Sequence, residues 1–135
     1  MTYTPAEDLN IAVTREIVAT GNAADWDACY ALVDPDCVVH MRDVDLRGHA
    51  EMRAYDAKFF PLFSRSHRDI LAIAADDETV VFRWKTDAVV ASSGDEVVIE
   101  GCSWSRMKDG RAIESWIYTD GAKPKQQVRP PNGAS

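Results

Sequence analysis

Up to Phe63 the apolar positions of the chain recur every three or four residues, and from Ser64 onward every second residue. The first rhythm is that of helices with one buried face, the second that of half-buried strands. Pro5, with Thr4 ahead of it as cap and Glu7 and Asp8 in the first turn, predicts a helix start. Leu9, Ala12, Val13, Ile17 and Thr20 mark one face of that helix as far as Gly21. Asp25 is placed to cap a second helix with the stripe Trp26, Cys29, Tyr30 and Val33, stopped by Pro35. Residues 37–41, CVVHM, predict a short strand, followed by a polar loop. A third helix opens near Gly48 with the stripe Met52, Tyr55, Phe59 and Phe63, and Pro61 ends or kinks it. Asp56 falls inside that stripe.

In the second half, HRDILAIAA predicts a strand and DDET a turn. VVFRWKTDAVV alternates cleanly, with Phe82, Trp84 and Thr86 against Arg83, Lys85 and Asp87. SSGD leads into EVVIEGCSWSRM, the pair Asp109-Gly110 predicts a two-residue hairpin, and AIESWIYTD completes the meander. Helices followed by antiparallel strands predict an α+β fold, a strongly curved sheet closing over its helices to enclose a cavity for a small apolar ligand. The domain is expected to span residues 1–122, with 123–135 a polar, proline-containing tail whose last ten or so residues are disordered.

Composition narrows the partners. Twenty-two acidic residues against fifteen basic ones set the net charge at −7, which disfavours nucleic acid and anionic membranes. No apolar run approaches the ~18 residues of a membrane span, and the start MTYTPAEDLN lacks the features of a signal peptide. Cys29, Cys37 and Cys102 are isolated and odd in number, so reduced thiols in a cytoplasmic setting are expected. His40, His49 and His67 make no metal spacing, and no phosphate loop or nucleophile triad appears. Neither a metal nor a cofactor is expected.

The succession of helix, helix, DPDCVVHM, RGHAEMRAY and four strands ending DGRAIESWIYTD resembles the SnoaL-like branch of the nuclear transport factor 2-like superfamily. The pieces that carry it are RG before the third helix, the hairpin EG…DGR.I, and the closing W.Y.D…QQ. The resemblance covers roughly residues 9–127. It implies a conical α+β barrel with an apolar cavity, usually dimeric, in a group that includes polyketide cyclases, ketosteroid isomerase and limonene epoxide hydrolase. Met41 stands where ketosteroid isomerase has its general base and Ser103 where it has its neutral acid. Tyr118 stands near one acid of the epoxide hydrolases. Those two chemistries therefore lack their carboxylates. In the cyclases an acid on the last strand does the proton transfer, and Asp120 is the nearest candidate.

The residues themselves supply the candidates. Ile99, Gly101, Ser103, Ser105 and Met107 share one strand face whose small members leave room for a ligand, or else simply face water. The opposite face carries Trp104 between Glu100 and Arg106, which suits a homodimer contact. Asp56 amid aromatics would have a raised pKa and could transfer protons; the alternative is an edge position paired with Arg53 or Lys58. Trp116, Tyr118 and Asp120 share a parity, reading as an aromatic pocket wall ending in an acid, or as a strand capped by Asp120. His40 is expected to point outward.

These readings predict a cofactor-free enzyme acting on a small, flat, hydrophobic or aromatic molecule by cyclisation or isomerisation. Asp120 and Asp56 would transfer protons, Tyr118 and Ser103 would donate to an enolate oxygen, and Trp84, Trp116, Phe59, Phe63, Met41, Tyr55 and Trp26 would shape the pocket. The alternative is a non-catalytic ligand-binding or assembly module of the same fold.

Overall fold

A computed structural model describes residues 2–125. Helix α1 (Pro5–Asn22) starts as expected. Thr4 accepts the Glu7 backbone N–H at 3.1 Å, while the Glu7 side chain accepts the Thr4 N–H at 2.8 Å, a reciprocal cap. Its inner face is rotated from the expected one. Leu9 is exposed, whereas Asn10 and Thr14 are buried beside Val13, Ile17 and Val18. The polar pair turns inward because it has partners there: Asn10 donates to the Asp77 carbonyl and Thr14 to the Asn10 carbonyl. Helix α2 (Trp26–Ala31) is capped by Asp25, and β1 (Val33–His40) then runs straight through Pro35. The expected polar loop contains a short strand, β2 (Asp45–Arg47), before α3 (Gly48–Phe59) and a 3-10 turn (Phe60–Leu62) around Pro61.

Four long strands follow: β3 (Phe63–Asp76), β4 (Thr79–Val90), β5 (Glu96–Lys108) and β6 (Arg111–Pro124). The Asp109-Gly110 turn has positive φ at both residues, 52° and 74°, as a two-residue hairpin requires. The sheet order is β2-β1-β6-β5-β4-β3, with β1 parallel to β6 and every other pair antiparallel. This is an α+β fold, helices packed on a six-stranded mixed sheet, in agreement with the expected cone. Val80, Phe82, Trp84, Ile99, Met107 and Ala112 form the larger core, and Tyr30, Cys37, Leu46 and Met52 a second one beneath α3. Strand β6 continues two residues past the expected domain boundary at 122. The disorder expected for the last ten residues lies outside the described part of the chain.

One irregularity decides which face of β6 looks inward. An unbroken ladder from the two-residue turn would set Trp116 opposite Ser103. Instead Met107 pairs with Ala112 while Arg106 pairs with Glu114, leaving Ile113 as an extra residue. That bulge flips the side chains that follow, as far as a second irregularity between Thr119 and Ala122. Ser103 now faces Ile117, Ser105 faces Ser115, and Trp104 faces Trp116 on the outside.

Candidate functional site

Between the helices and the inner face of the sheet lies a cavity of about 230 Å³, near the lower end of ligand sites of roughly 300–1,000 Å³. The small-residue face of β5 does line it: Ser103, Ser105 and Met107 are all buried there. Ser105 and Ser115 hydrogen-bond each other across the ladder at 2.9 Å. Trp26 and Phe60, in tilted contact 4.8 Å apart, close the helical side.

Asp56 reaches this cavity from α3. Its carboxylate accepts a short hydrogen bond from the Tyr30 hydroxyl on α2. Burial raises the Asp56 pKa, opposed by the Tyr30 bond and by the charges of Arg68 and Arg53. Tyr30 is held protonated, chiefly by its own burial and then by the neighbouring carboxylate. The alternative pairing is absent. Arg53 bonds Asp27 at 3.1 Å and covers the Tyr30 ring at 4.4 Å. Asp56 also borders an outer depression with Trp26, Tyr30, Arg53, Phe60 and Pro61. It therefore borders both the cavity and the depression outside it.

Opposite the helices, Arg68 enters the cavity from β3. The Asn22 side chain at the end of α1 pairs with the Arg68 backbone through two hydrogen bonds of 2.8 Å. The guanidinium lies 3.7 Å over the Trp84 ring, and its Nε donates to Thr86 at 2.9 Å. Burial lowers its pKa to about 10. Trp84 in turn donates its indole N–H to the Ser103 hydroxyl at 2.9 Å, which leaves that hydroxyl's own proton free to point elsewhere. Gly101 makes the arrangement possible. A Cβ there would stand 2.4 Å from the Trp84 ring and 2.7 Å from the Tyr118 carbonyl.

The structure thus unites Asp56, Ser103 and Trp26 around one cavity, and separates the others from it. Asp120 is on the outside, with an 84% exposed side chain near Lys123 at 3.3 Å. Tyr118 is 63% exposed, and Trp116 stacks on His40 on the outer face; the Ile113 bulge is the reason for all three. Trp84 is a buried platform beneath Arg68 rather than an aromatic wall. Phe59 stacks on Tyr55 and meets Phe63 at a tilt, all three packed against the cores. Met41 lies just past β1 against the second core, where Cys37 and Val39 form the cavity wall instead. Tyr30 and Arg68 were missed as site residues. Tyr30 was visible in the stripe of α2, and Arg68 stands opposite Thr86 on the inward parity of β4. His40 points outward as expected, bonded to Asp45 at 2.9 Å and Glu114 at 2.7 Å. Among the described residues no three His, Cys, Asp or Glu side chains converge as a metal site, and no helix is long and apolar enough to cross a membrane.

The fold is similar to that of a candidate SnoaL-like polyketide cyclase from Jannaschia sp. CCS1. The TM-score is 0.81 at 19% identity, over 89% of this chain and 91% of that one. It is also similar to AclR from Streptomyces galilaeus, a candidate hydroxylase, with TM-score 0.74, 21% identity, and 82% and 88% of the two chains covered. TerC, co-crystallised with polyporic acid, matches with TM-score 0.76 at 15% identity, over 83% and 92%. At such identities these likenesses establish the fold alone. Among curated proteins none matches the sequence. The family model of the SnoaL-like domain matches residues 14–115, about three quarters of the chain, and the chain belongs to that family.

Proposed function

We propose that this protein is a cofactor-free enzyme of secondary metabolism, transferring protons on a small, flat, largely apolar molecule in a cyclisation or isomerisation. The observation that carries this reading is the half-buried Asp56, held by Tyr30 and open to the cavity. Burial shifts its pKa upward, the direction that makes a carboxylate a stronger base. In an aldol-type cyclisation the Asp56 carboxylate takes a proton from carbon next to a carbonyl. Ser103 donates a hydrogen bond to the enolate oxygen so formed. The enolate carbon then bonds to a second carbonyl of the same molecule, whose oxygen receives the proton from Asp56.

The test needs no natural substrate. 2-Tetralone in deuterated buffer exchanges its acidic C–H protons through the enol. The protein should accelerate that exchange, followed by NMR, and Asp56→Asn should lower the acceleration by about 100-fold. Equal rates with and without protein would remove the catalytic reading and leave a binding module. Three unpaired cysteines, two of them buried, support a reducing, cytoplasmic setting.

The outer face of the sheet is proposed to meet a second copy of the chain. Trp104 is 48% exposed there, in register with Trp116 and near Tyr118, an aromatic patch of the kind found at interface centres. Trp104→Glu should shift sedimentation toward monomer at micromolar concentration. An unchanged profile would refute the contact.

A further inference from the structure

Within the fold the charge of Arg68 meets the face of the Trp84 ring and, at longer range, the Asp56 carboxylate, but its fork is not filled. Its Nε is bonded to Thr86 and its backbone to Asn22, but among the described residues its two terminal nitrogens have no hydrogen-bond partner. Among the described residues no carboxylate forms an ion pair with it within 4 Å, and Asp56 acts on it only from farther away. Every other cation that lines or borders the site is compensated: Arg53 pairs with Asp27 outside the wall. A buried guanidinium with no carboxylate in contact is costly, and truncation to a neutral side chain would remove that cost. Nor is Arg68 loosely placed. The Asn22 clamp, the Thr86 bond and the Trp84 platform fix its plane, and the ring of Trp84 is fixed by Ser103 and Gly101. Arg68 lines the cavity with a planar fork whose terminal nitrogens carry no hydrogen bond to the described residues. Such a fork matches two oxygens in one plane.

We propose that Arg68 is a specificity-determining residue that binds a planar oxyanion of the ligand. That group is a carboxylate or the equivalent O–C=C–C=O system of an enolised 1,3-dicarbonyl. The inference rests on the cavity reading above and names its substrate class: a flat apolar body carrying one delocalised negative charge. The electrostatics of the site fit. With Asp56 ionised the cavity holds one positive and one negative side chain; a bound anion on Arg68 brings a second negative charge near Asp56. It would draw a proton onto Asp56, so anion binding is coupled to proton uptake and strengthens as pH falls. The charged groups facing this space are Arg68 from β3 and Asp56 from α3, with Arg53 contributing from behind Asp56; Tyr30 and Cys29 from α2 and Cys37 from β1 are held protonated by burial, and the polar groups of β4, β5 and β6 are the hydroxyls of Thr86, Ser103, Ser105 and Ser115.

The experiment is calorimetry on the full chain with three probes of similar shape: 2-naphthoate, its neutral isostere 2-naphthamide, and 2-hydroxy-1,4-naphthoquinone, whose anion is a vinylogous carboxylate. A hydrogen-bonded charge pair contributes about 1.5–3 kcal/mol. At pH 7 one or both anions should therefore bind about 10- to 100-fold more tightly than the amide. Preference for naphthoate alone identifies a carboxylate, for the quinone alone an enolised dicarbonyl. Arg68→Gln should abolish the preference and Arg68→Lys restore part of it. Asp56→Asn should bind the anions at least as well as the wild type and lose the pH dependence, while losing tetralone exchange. Equal affinity for the amide, or no binding of any probe at millimolar concentration, overturns the proposal. Both outcomes are read on the wild-type chain, whether or not Arg68→Gln folds. Anion binding without tetralone exchange would overturn the catalytic reading and leave this one standing; exchange without anion preference would do the reverse.

Discussion

Arg106 and Arg68 carry the same charge into opposite settings. On the outer face Arg106 reaches Glu114 at 3.2 Å and Glu78 at 3.5 Å, and Glu114 continues to His40 and Asp45. On the inner face Arg68 lies on an aromatic ring, bonded to one hydroxyl and to no carboxylate. The outer group is a chain of partners in solvent, where each link is screened and contributes little. The inner group is desolvated, rigid and incomplete. The contrast separates a surface that stabilises itself from a site that waits for something to complete it.

The contrast can be broken most forcefully through Gly101. Gly101→Ala forces a methyl group into the Trp84 ring and the β6 backbone; overpacking of this kind costs about 1–3 kcal/mol. The loss should appear as a lowered urea midpoint with an unchanged slope. Because Trp84 carries Arg68 and Ser103, ligand affinity should fall with it. Unchanged stability would mean that Trp84 is free to move and that the inner group is not rigid.

A second difference is in the sign of the pH response. The folded-state pKa of Asp56 is raised, so the folded chain holds its proton to higher pH than the unfolded chain does. Between the ordinary aspartate value and the raised one, stability falls as pH rises. Asp56→Asn should flatten that slope in thermal melts from pH 4 to 8 and leave the variant relatively more stable at the alkaline end. A steeper slope in the variant would assign the raised pKa elsewhere.

The outer group responds at both ends of the pH range and by less. Its hydrogen bonds to His40 and Arg106 hold the Glu114 pKa below the usual carboxylate range, so its contribution is present above the ordinary value and is lost as pH falls through the lowered one. The His40 pKa is raised, first by Glu114 and then by Asp45; that contribution is full below the ordinary imidazole value and is lost as pH rises through the raised one. The pair is strongest between those limits. Glu114→Gln should cost at most about 1 kcal/mol near pH 6, less at high salt. A larger loss would make the outer face a structural centre rather than a solvated network.

Much of this was readable along the chain. The capped start of α1, the two-residue hairpin and the small-residue face of β5 follow from local rules: a cap bonds residues three apart, and a strand alternates by two. Those rules also placed Ser103 in the cavity and Asp56 in the inward stripe of α3. They failed at β6, where one inserted residue at Ile113 turned Trp116, Tyr118 and Asp120 outward. A bulge is set by how two strands fit each other, and no single strand carries its signal. They failed again at Leu9, which lies on the side of α1 away from the sheet, because Asn10 found a partner in Asp77 across the fold.

The sequence by itself determined where the three helices and the four long strands run, because that depends on periodicity. What each charge meets was decided only by the tertiary structure. The carboxylate of Asp56 finds Tyr30, 26 residues away, and Arg68 finds Trp84 and Thr86, with Asp56 acting on it only from a distance. An electrostatic environment is the sum over neighbours brought from distant parts of the chain, and the chemistry of this cavity depends on that sum.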